Sequence, residues 1–269
     1  MTIDGSTRLY FIVGDPIAQV KSPEAFNRVF AQNGINAVLL PLNVDANSVD
    51  DFLNGIKQTR NVDGIVLTVP HKFAGYNHCD TTSARSHFLE VANVMRRGAD
   101  GTWHGDMVDG LGYVAALRQA GCRIEGSNAL LVGAGGAGSA IAHALIEAGV
   151  AELSVHDEDS RRRDALIGKL GGMGQARLTT GSRDPSGMHI VINATPMGMR
   201  EEDPLPVMVD RLTSSMFVGD VITAPAISPL LKVARTLGCA TMTGAQMYDG
   251  VLKLMVEFFR IHPNAEMAV

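Results

Sequence analysis

Three glycines and one aspartate form a pattern that could bind a dinucleotide. Gly133, Gly135 and Gly138 follow the apolar run 129–132 and precede an apolar helical pattern, so the spacing G-x-G-x-x-G lies between a strand and a helix. In that context the first glycine permits a tight turn, the second lets backbone N–H groups approach a pyrophosphate, and the third lets the helix pack on the strand. Asp157 ends the next apolar strand, where a carboxylate can bind a ribose hydroxyl. We therefore predict a dinucleotide site here.

A lysine and an aspartate are the candidates for acid–base chemistry. Lys72 follows the apolar run 64–69 at the strand end, where active sites of α/β proteins lie, and Asp109 falls in a second glycine-flanked turn. Oxidising an alcohol requires a base, and the reverse reaction requires an acid at the same place. Taken alone, a lysine after a strand is most often a solvated surface charge. The chain has no H-x-x-x-H, no His–Cys pair at ligand spacing and no G-x-S-x-G. We predict neither a metal site nor a serine triad.

Alternating apolar strands and helices position these residues and predict an α/β fold. Predicted strands cover residues 8–13, 37–44, 64–69, 129–132, 153–156, 189–193 and 216–222. Predicted helices cover residues 22–33, 49–56, 111–120, 140–148 and 160–170, a segment opening at 228, and 247–259. Ser22 is the expected N-cap of the first helix, and residues 78–112 form a less regular middle section. The first half is expected to contain a parallel or mixed sheet.

Composition limits the classes of function that need to be considered. The 269 residues are enough for about two domains, and 46% apolar with 19% charged residues is typical of a globular protein. A net charge of −5 gives no general attraction to nucleic acid or an anionic membrane. Three widely spaced cysteines favour a reducing compartment. The chain lacks an apolar run of membrane-spanning length and a signal-peptide pattern at its start. We therefore expect a soluble cytoplasmic protein.

Several motifs, in the same order along the chain, resemble the shikimate/quinate dehydrogenase family. Residues 14–23, GDPIAQVKSP, resemble its G-x-P-I-x-x-S-K-S-P motif, and residues 67–72, LTVPHK, are similar to its N-V-T-x-P-x-K motif. Residues 193–199, NATPMGM, match a cofactor motif of the family. Further similar segments are residues 91–93, 106–110, 133–137, 219–220, 228–231 and 244–247. The resemblance spans residues 11–259, which is nearly the whole chain.

The resemblance implies a fold and a reaction. A substrate domain would comprise residues 1–112 and 243–269, with the final helix returning to it, and a Rossmann domain would comprise residues 113–242. The expected reaction is reversible hydride transfer between a nicotinamide and a cyclic hydroxy acid of the shikimate or quinate type, in the cleft between the domains. By resemblance, Lys72 is the proton-transfer group and Asp109 its partner. The implied partner is a small molecule, and a homodimer is left open.

The resemblance also implies two sets of binding residues. The substrate set is Ser22, Thr68, Lys72, Asn93 and Asp109, together with Val20, Thr223 and Val251 at family positions whose residue type differs here. The cofactor set is Gly133, Ala134, Gly135, Gly136, Ala137, Asp157, Asn193, Thr195, Pro196, Met197, Val221 and Gly244.

The substrate positions depart from the family pattern. Val20 stands where the family has a carboxylate-binding serine, Thr223 where it has a tyrosine, and Val251 where it has a glutamine. Residues 107–108, Met-Val, replace an Asn-Thr pair before the catalytic aspartate. Each lost hydrogen bond costs about 0.5–1.5 kcal/mol. The pattern therefore favours a ring acid that is less polar than shikimate.

Two alternatives remain open at this point. Asp157 and its acidic neighbours would repel a 2′-phosphate, which favours NAD, but one of the arginines at 161–163 could fold back and bind NADP. A regulatory paralogue that senses a metabolite without converting it is the competing function. Retention of Lys72, Asp109 and the glycine loop favours the enzyme.

Overall fold

The alternation of strands and helices is present in the computed structural model, which describes residues 3–261. The chain folds into two units, each built on one six-stranded sheet. The first unit contains the described residues up to Val108 and from Leu252 onward, and the second contains Asp109–Val251. The predicted α/β fold is confirmed.

The first unit contains a mixed sheet. Its strands are β1 (Arg8–Gly14), β2 (Ala37–Asn43), β3 (Val62–Leu67), β4 (Thr81–Thr82), β5 (Val94–Arg97) and β6 (Trp103–Asp106), in the order β2-β1-β3-β5-β6-β4. Its helices are α1 (Ser22–Gln32), α2 (Val49–Lys57), α3 (Lys72–Asn77) and α4 (Ala84–Leu89). Strands β1, β2 and β3 are parallel, whereas β5 is antiparallel to both β3 and β6. The core forms because α1 and α2 each turn an apolar stripe inward, with Phe26, Phe30 and Leu53 fully buried.

The second unit contains an all-parallel sheet. Its strands are β7 (Asn128–Val132), β8 (Glu152–His156), β9 (Arg177–Thr180), β10 (Ile190–Asn193), β11 (Phe217–Asp220) and β12 (Ala240–Met242). Its helices are α5 (Asp109–Gln119), α6 (Gly136–Glu147), α7 (Ser160–Gly171), α8 (Pro229–Thr236) and the start of α9 (Gly244–Phe258), with a 3-10 turn at Val209–Arg211. The sheet order is β12-β11-β10-β7-β8-β9, which is the Rossmann arrangement. The predicted Rossmann sheet is confirmed.

The last helix, α9, runs from the second unit into the first. Its residues up to Val251 cluster with the second unit, and those from Leu252 cluster with the first. At its end Phe259 packs edge-on against Tyr10 and Phe26, with ring centroids 5.3 and 5.8 Å away. The prediction that the final helix returns to the first domain is confirmed.

Local predictions were wrong at several places. The middle section, predicted to be less regular apart from a strand-like turn at residues 102–104, contains the regular elements β4, α4, β5 and β6, whose short strands lack a clear alternation in the sequence. Asp109 is the first residue of α5 rather than part of a turn. Lys21 occupies the N-cap of α1, so Ser22 is already inside the helix. Strands β9 and β12 were not predicted, because three or four residues at a sheet edge carry little apolar periodicity.

None of the helices within residues 3–261 combines the length and apolar character needed to cross a membrane.

Candidate active site

The three glycines after β7 differ in what the protein itself requires of them. A Cβ on Gly138 would lie 1.9 Å from the carbonyl oxygen of Gly133, and one on Gly133 would lie 2.8 Å from that of Ala194. Gly133 also has a φ of +108°, which disfavours any side chain. A Cβ on Gly135 would meet no described atom within 4 Å apart from its chain neighbours. Packing therefore explains Gly133 and Gly138 but not Gly135, whose glycine suits the close approach of a ligand to the backbone.

Asp157 ties the end of β8 to the glycine loop. Its Oδ2 accepts a hydrogen bond of 2.7 Å from the backbone N–H of Ala134, and its Oδ1 accepts one of 2.9 Å from Asp159. Asp159 in turn caps α7 by accepting from the N–H groups of Arg161 and Arg162. The carboxylate thus stands beside the first turn of α6, where an adenosine ribose would be bound in a Rossmann fold. Arg162 folds back to 3.8 Å from Asp157 Oδ2.

A hydrogen-bonded loop follows β10. Asn193 Oδ1 accepts from the Thr195 N–H at 3.0 Å and from its hydroxyl at 2.6 Å, while Asn193 Nδ2 donates to the Met197 carbonyl at 3.1 Å. The Met197 N–H donates to Thr195 Oγ1 at 3.1 Å. Pro196 is exposed at the tip of this loop. Asn193, Thr195, Pro196 and Met197 therefore form one preorganised element at the carboxyl end of β10.

The sequence analysis did not include Asp220 among the site residues, although it supports this loop. Asp220 is fully buried, and its Oδ1 accepts from Asn193 Nδ2 at 3.1 Å and from the Ile222 N–H at 3.0 Å. Its Oδ2 accepts from the Ser228 hydroxyl at 2.6 Å. Burial raises the pKa of Asp220 to about 6, against the lowering effect of these hydrogen bonds. The sequence signal that could have identified Asp220 is its position after Gly219 at the end of a predicted strand.

The segment after β11 lies against the start of α9. The Val221 N–H donates to the Asn193 carbonyl at 3.1 Å. A Cβ on Gly244 would lie 2.2 Å from the Ile222 carbonyl oxygen and 2.5 Å from that of Val221, so this contact requires glycine. Within the second unit, the predicted cofactor residues after β10, after β11 and at the start of α9 are therefore adjacent. Thr223 is half-buried in the same segment.

In the first unit, Gly14 and Thr68 meet where β1 and β3 end. A Cβ on Gly14 would lie 2.3 Å from Thr68 Cγ2, and the Thr68 N–H donates to the Val13 carbonyl at 2.9 Å. Chain connections leave β1 and β3 in opposite directions across this sheet, which makes their carboxyl ends a topological switch point. Ligands of open α/β sheets bind at such points, so Thr68 lies in the expected region.

Lys72 begins α3 just after this switch point, and its side chain is only 8% exposed. Its carbonyl accepts from the Ala92 N–H at 2.9 Å, which fixes the start of α3 against the segment before β5. The preceding His71 is 1% exposed, and its Nε2 lies 2.7 Å from the Val44 carbonyl. The sequence analysis did not single out His71, which anchors the turn that carries Lys72.

Asn93 connects β3 with the end of β6. Its carbonyl accepts from the Leu67 N–H at 2.7 Å, and its N–H donates to the Asp106 carbonyl at 2.9 Å. Its Oδ1 accepts from the Val108 N–H at 3.0 Å. Asp109 follows directly in the chain and is 7% exposed. Asn93 therefore fixes the backbone from which Asp109 continues.

The apolar replacements differ in their surroundings. Val20 is half-buried in the loop before α1, and Ser22 is 4% exposed. Val251 is 5% exposed on α9, and a Cβ on Gly112 would lie 2.4 Å from its Cγ2. Met107 and Val108, at the Asn-Thr positions, are only 1% and 2% exposed. Which of these side chains faces a substrate stays a prediction.

Within residues 3–261, no group of three or more His, Cys, Asp or Glu side chains is arranged to hold a metal ion. The first turn of α6, which includes Gly136 and Ala137, presents backbone N–H groups at the carboxyl edge of the sheet. Fold and loop together define a protein of the dinucleotide-binding α/β class.

Comparisons with known proteins identify the family within this class. Residues 12–95 match the family model described as the shikimate dehydrogenase substrate binding domain. The chain is 34% identical to shikimate dehydrogenase (NADP(+)) of Rubrobacter xylanophilus, over 93% of this chain and 90% of that relative. The chain therefore belongs to the shikimate dehydrogenase family.

Solved structures agree with this assignment. Shikimate 5-dehydrogenase from Listeria monocytogenes, in complex with shikimate and NAD, has a TM-score of 0.86 at 26% identity, covering 98% of this chain and 96% of that chain. Quinate dehydrogenase from Corynebacterium glutamicum, in complex with NAD, has a TM-score of 0.82 at 27% identity, covering 95% and 93%.

Proposed function

We propose that this protein is an oxidoreductase that transfers a hydride between a nicotinamide cofactor and a cyclic hydroxy acid of the shikimate or quinate type. Residues 1–112 and 243–269 would form the substrate domain, and residues 113–242 the cofactor domain. Family membership supports the reaction class. The observation that carries the proposal is Lys72, a lysine that is only 8% exposed at the carboxyl end of a parallel strand. Lysine is rarely buried unless it is paired or functional, so the surface-charge interpretation is disfavoured.

In the proposed mechanism the nicotinamide, when bound, accepts or supplies the hydride. Lys72 holds or delivers the proton at the substrate hydroxyl, and Asp109 is its partner in that transfer. Thr68, Ser22 and Asn93 bind and orient the ring acid. The N–H groups at the start of α6 and the turn at Gly135 would hold the pyrophosphate, and the loop from Asn193 to Met197 would contact the nicotinamide half of the cofactor.

For the cofactor we propose a preference for NAD. Asp157 accepts from the Ala134 N–H, so its carboxylate is oriented towards the glycine loop and would accept hydrogen bonds from a ribose diol. A 2′-phosphate at that place would be repelled by Asp157 and by the neighbouring Glu158 and Asp159. Arg162, 3.8 Å from Asp157, supports the alternative, since its guanidinium could bind a phosphate. The Rubrobacter relative is named for NADP(+), whereas the Listeria structure contains NAD.

For the substrate we propose a ring acid with fewer hydroxyls than shikimate, or with a differently placed carboxylate. Val20 and Val251 lack the hydrogen-bonding groups that the family has at these positions. A hydroxyl that is desolvated without a partner is strongly disfavoured in a binding site. The competing view is that Thr68, Asn93, Lys72 and Asp109 suffice, with bridging water completing the contacts.

The test is a screen of shikimate, quinate and less hydroxylated ring acids with NAD and with NADP, following absorbance of the reduced cofactor. We expect turnover of at least one ring acid, with a higher kcat/KM for NAD. Binding of a ring acid without turnover by any combination would instead support the sensing paralogue.

The cofactor preference has its own variants. Asp157→Ala removes the ribose contact and should lower kcat/KM for NAD by about ten- to a hundredfold, as expected for a lost hydrogen bond to a charged group. Asp157→Asn is the matched control, because it retains an acceptor for the Ala134 N–H but removes the charge. A wild type that prefers NADP would contradict the proposal.

A further inference from the structure

A cationic cavity lies in the first unit, at the amino ends of β1 and β3. Thr68 and Lys72 follow the opposite, carboxyl end of β3. Its volume is about 480 Å³, and its lining includes five arginines and one aspartate: Arg8, Arg60, Asp63, Arg96, Arg97 and Arg260. Arg8 begins β1, Asp63 lies at the start of β3, and Arg96 and Arg97 end the antiparallel strand β5. We call this the arginine cavity. It stands out in a chain whose net charge is −5.

Two of the five arginines have structural roles. Arg8 forms a two-pronged ion pair with Asp63, with one bond of 2.8 Å from its Nε, and also donates to the Arg60 carbonyl at 3.0 Å. Arg97 lies over the Trp103 ring at 4.9 Å and donates to the carbonyls of Lys57, Thr59 and Val62. These contacts hold the wall of the cavity. They leave an excess of positive charge, since Asp63 is the single acidic side chain in the lining formed by residues 3–261.

Hydrogen bonds to the protein do not account for the other three arginines, of which Arg60 and Arg260 are exposed. The Nε of Arg96 is buried without a hydrogen-bond partner among the described residues. Neither Arg60 nor Arg260 forms an ion pair with any residue in the described part of the chain. Burial, and then the charge of Arg260, lower the pKa of Arg96, which means that the surroundings disfavour its charged form. An anion between these guanidinium groups would favour the charged form of Arg96 and so oppose both effects.

Packing fixes Arg96 in position. Tyr10, Gly64, Arg96 and His104 are successive partners across β1, β3, β5 and β6. The Arg96 guanidinium lies 5.3 Å from the centroid of the Phe258 ring, and that ring stacks on His104 at 6.0 Å. A Cβ on Gly64 would lie 2.5 Å from Phe259, so glycine there lets the end of α9 pack directly on this row. The half-buried side chain of Arg96 thus lies against the Phe258 ring.

We propose that the arginine cavity binds a small, multiply charged oxyanion bearing phosphate or carboxylate groups, at a site separate from the catalytic residues. Guanidinium groups bind such oxyanions through paired N–H donors, and several arginines converging on one cavity select for more than one negative charge. The volume is within the range typical of small-molecule sites. Tyr10 and Phe259 add an apolar wall that would accommodate a compact organic portion of the ligand.

The test is titration calorimetry of the full chain with pyrophosphate and, separately, with citrate, at constant ionic strength and with saturating NADH. In the proposed function NADH occupies the turn at Gly135, so anion binding that persists at saturating NADH reports a different site. Stronger binding of pyrophosphate would identify a phosphate ligand, and stronger binding of citrate a carboxylate ligand. We expect Arg96→Gln and Arg260→Gln each to weaken binding about tenfold or more, as for a lost charge-assisted bond.

Arg123→Gln is the matched control, because it removes an exposed arginine outside the cavity. It should leave the affinity unchanged, and all three variants should retain the wild-type kcat on whichever ring acid is turned over. The proposal is overturned if neither anion binds in the presence of NADH, or if Arg123→Gln weakens binding as much as Arg96→Gln does. A thermal unfolding profile of each variant establishes that it is folded, so a loss of affinity reports the cavity.

Discussion

The two units each contain a topological switch point, and the two are built differently. In the second unit the region at the ends of β7, β10 and β11 is shaped by backbone: Gly133, Gly138 and Gly244 are required by contacts below 3 Å. In the first unit the region between β1 and β3 has one such glycine, Gly14, and its chemistry rests on side chains such as Lys72. Recognition by backbone shape tolerates little change. Recognition by side chains can diverge while the fold is retained.

Lys72→Ala should give the largest effect, lowering kcat through the first switch point while leaving NAD binding at the second unchanged. Removing the proposed proton-transfer group should lower kcat by about 10²–10⁴-fold, the range typical of general acid–base residues. NAD affinity, measured by fluorescence titration, should be unchanged because the glycine loop is untouched. Lys232→Ala, which removes an exposed lysine from α8, is the control. A near-normal kcat for Lys72→Ala would remove this lysine from the mechanism.

Asp220 gives the second switch point a pH dependence. The folded-state pKa of Asp220 is raised to about 6 from 3.8, so the folded protein binds this proton more tightly than the unfolded chain does. The resulting stabilisation is fully present below about pH 4 and is lost as the pH rises through about 6. The free energy of unfolding of wild type relative to Asp220→Asn should therefore fall over this range, by at most about 3 kcal/mol. Urea unfolding from pH 4 to 7 measures it.

Asp203→Asn is a control for which the pH dependence of the free energy of unfolding should have the opposite sign. Backbone N–H groups of Arg200 and Gly198 lower the pKa of Asp203, so its contribution is lost as the pH falls. If the difference between wild type and Asp220→Asn does not vary with pH, Asp220 does not titrate in this range.

Two glycine variants test whether the loop is shaped by packing or by the ligand. Gly138→Ala places a Cβ 1.9 Å from the Gly133 carbonyl and should destabilise the fold by about 1–3 kcal/mol. Gly135→Ala meets no described atom and should leave stability nearly unchanged, yet weaken NAD binding about tenfold through loss of contacts to the pyrophosphate. Thermal unfolding and NAD titration of both variants check this. Unaltered affinity in Gly135→Ala would place the pyrophosphate elsewhere.

The smallest expected effect concerns the substrate residues. Val20→Ser and Val251→Gln together should raise kcat/KM for shikimate by about tenfold, because each restores a hydrogen-bonding group. Val251 packs closely on Gly112, so Val251→Gln also alters this packing. Val20→Ser alone is therefore the variant that is easier to interpret. Steady-state kinetics on shikimate decide the matter. A wild type that already combines micromolar KM with rapid turnover would show that these valines do not face the substrate.

Much of the fold was predictable because buried strands and amphipathic helices leave strong periodic patterns. The apolar run before Gly133 and the spacing of the three glycines identified β7, the turn and α6 without any tertiary information. The middle section was not predictable: β5 and β6 have four residues each, and their pairing comes from contacts with β3 rather than from local preference. The position of Asp109 inside α5 depends in part on Asn93, which fixes the preceding Val108 through its amide oxygen.

By itself the sequence determined the α/β class, the glycine loop and the identity of Lys72, Asp109 and Asp157 as candidates, because residue type and local spacing carry that information. Tertiary structure decided which other contacts require glycine, since those of Gly133 with Ala194 and of Gly244 with Ile222 join segments that local spacing does not relate. It also brought Asn193 and Asp220, which are 27 positions apart, into one hydrogen-bonded group. The arginine cavity also depends on tertiary structure, because its arginines are far apart in the sequence. The pairing of β1, β3 and β5, and the packing of the end of α9 on them, bring these arginines to one end of the sheet.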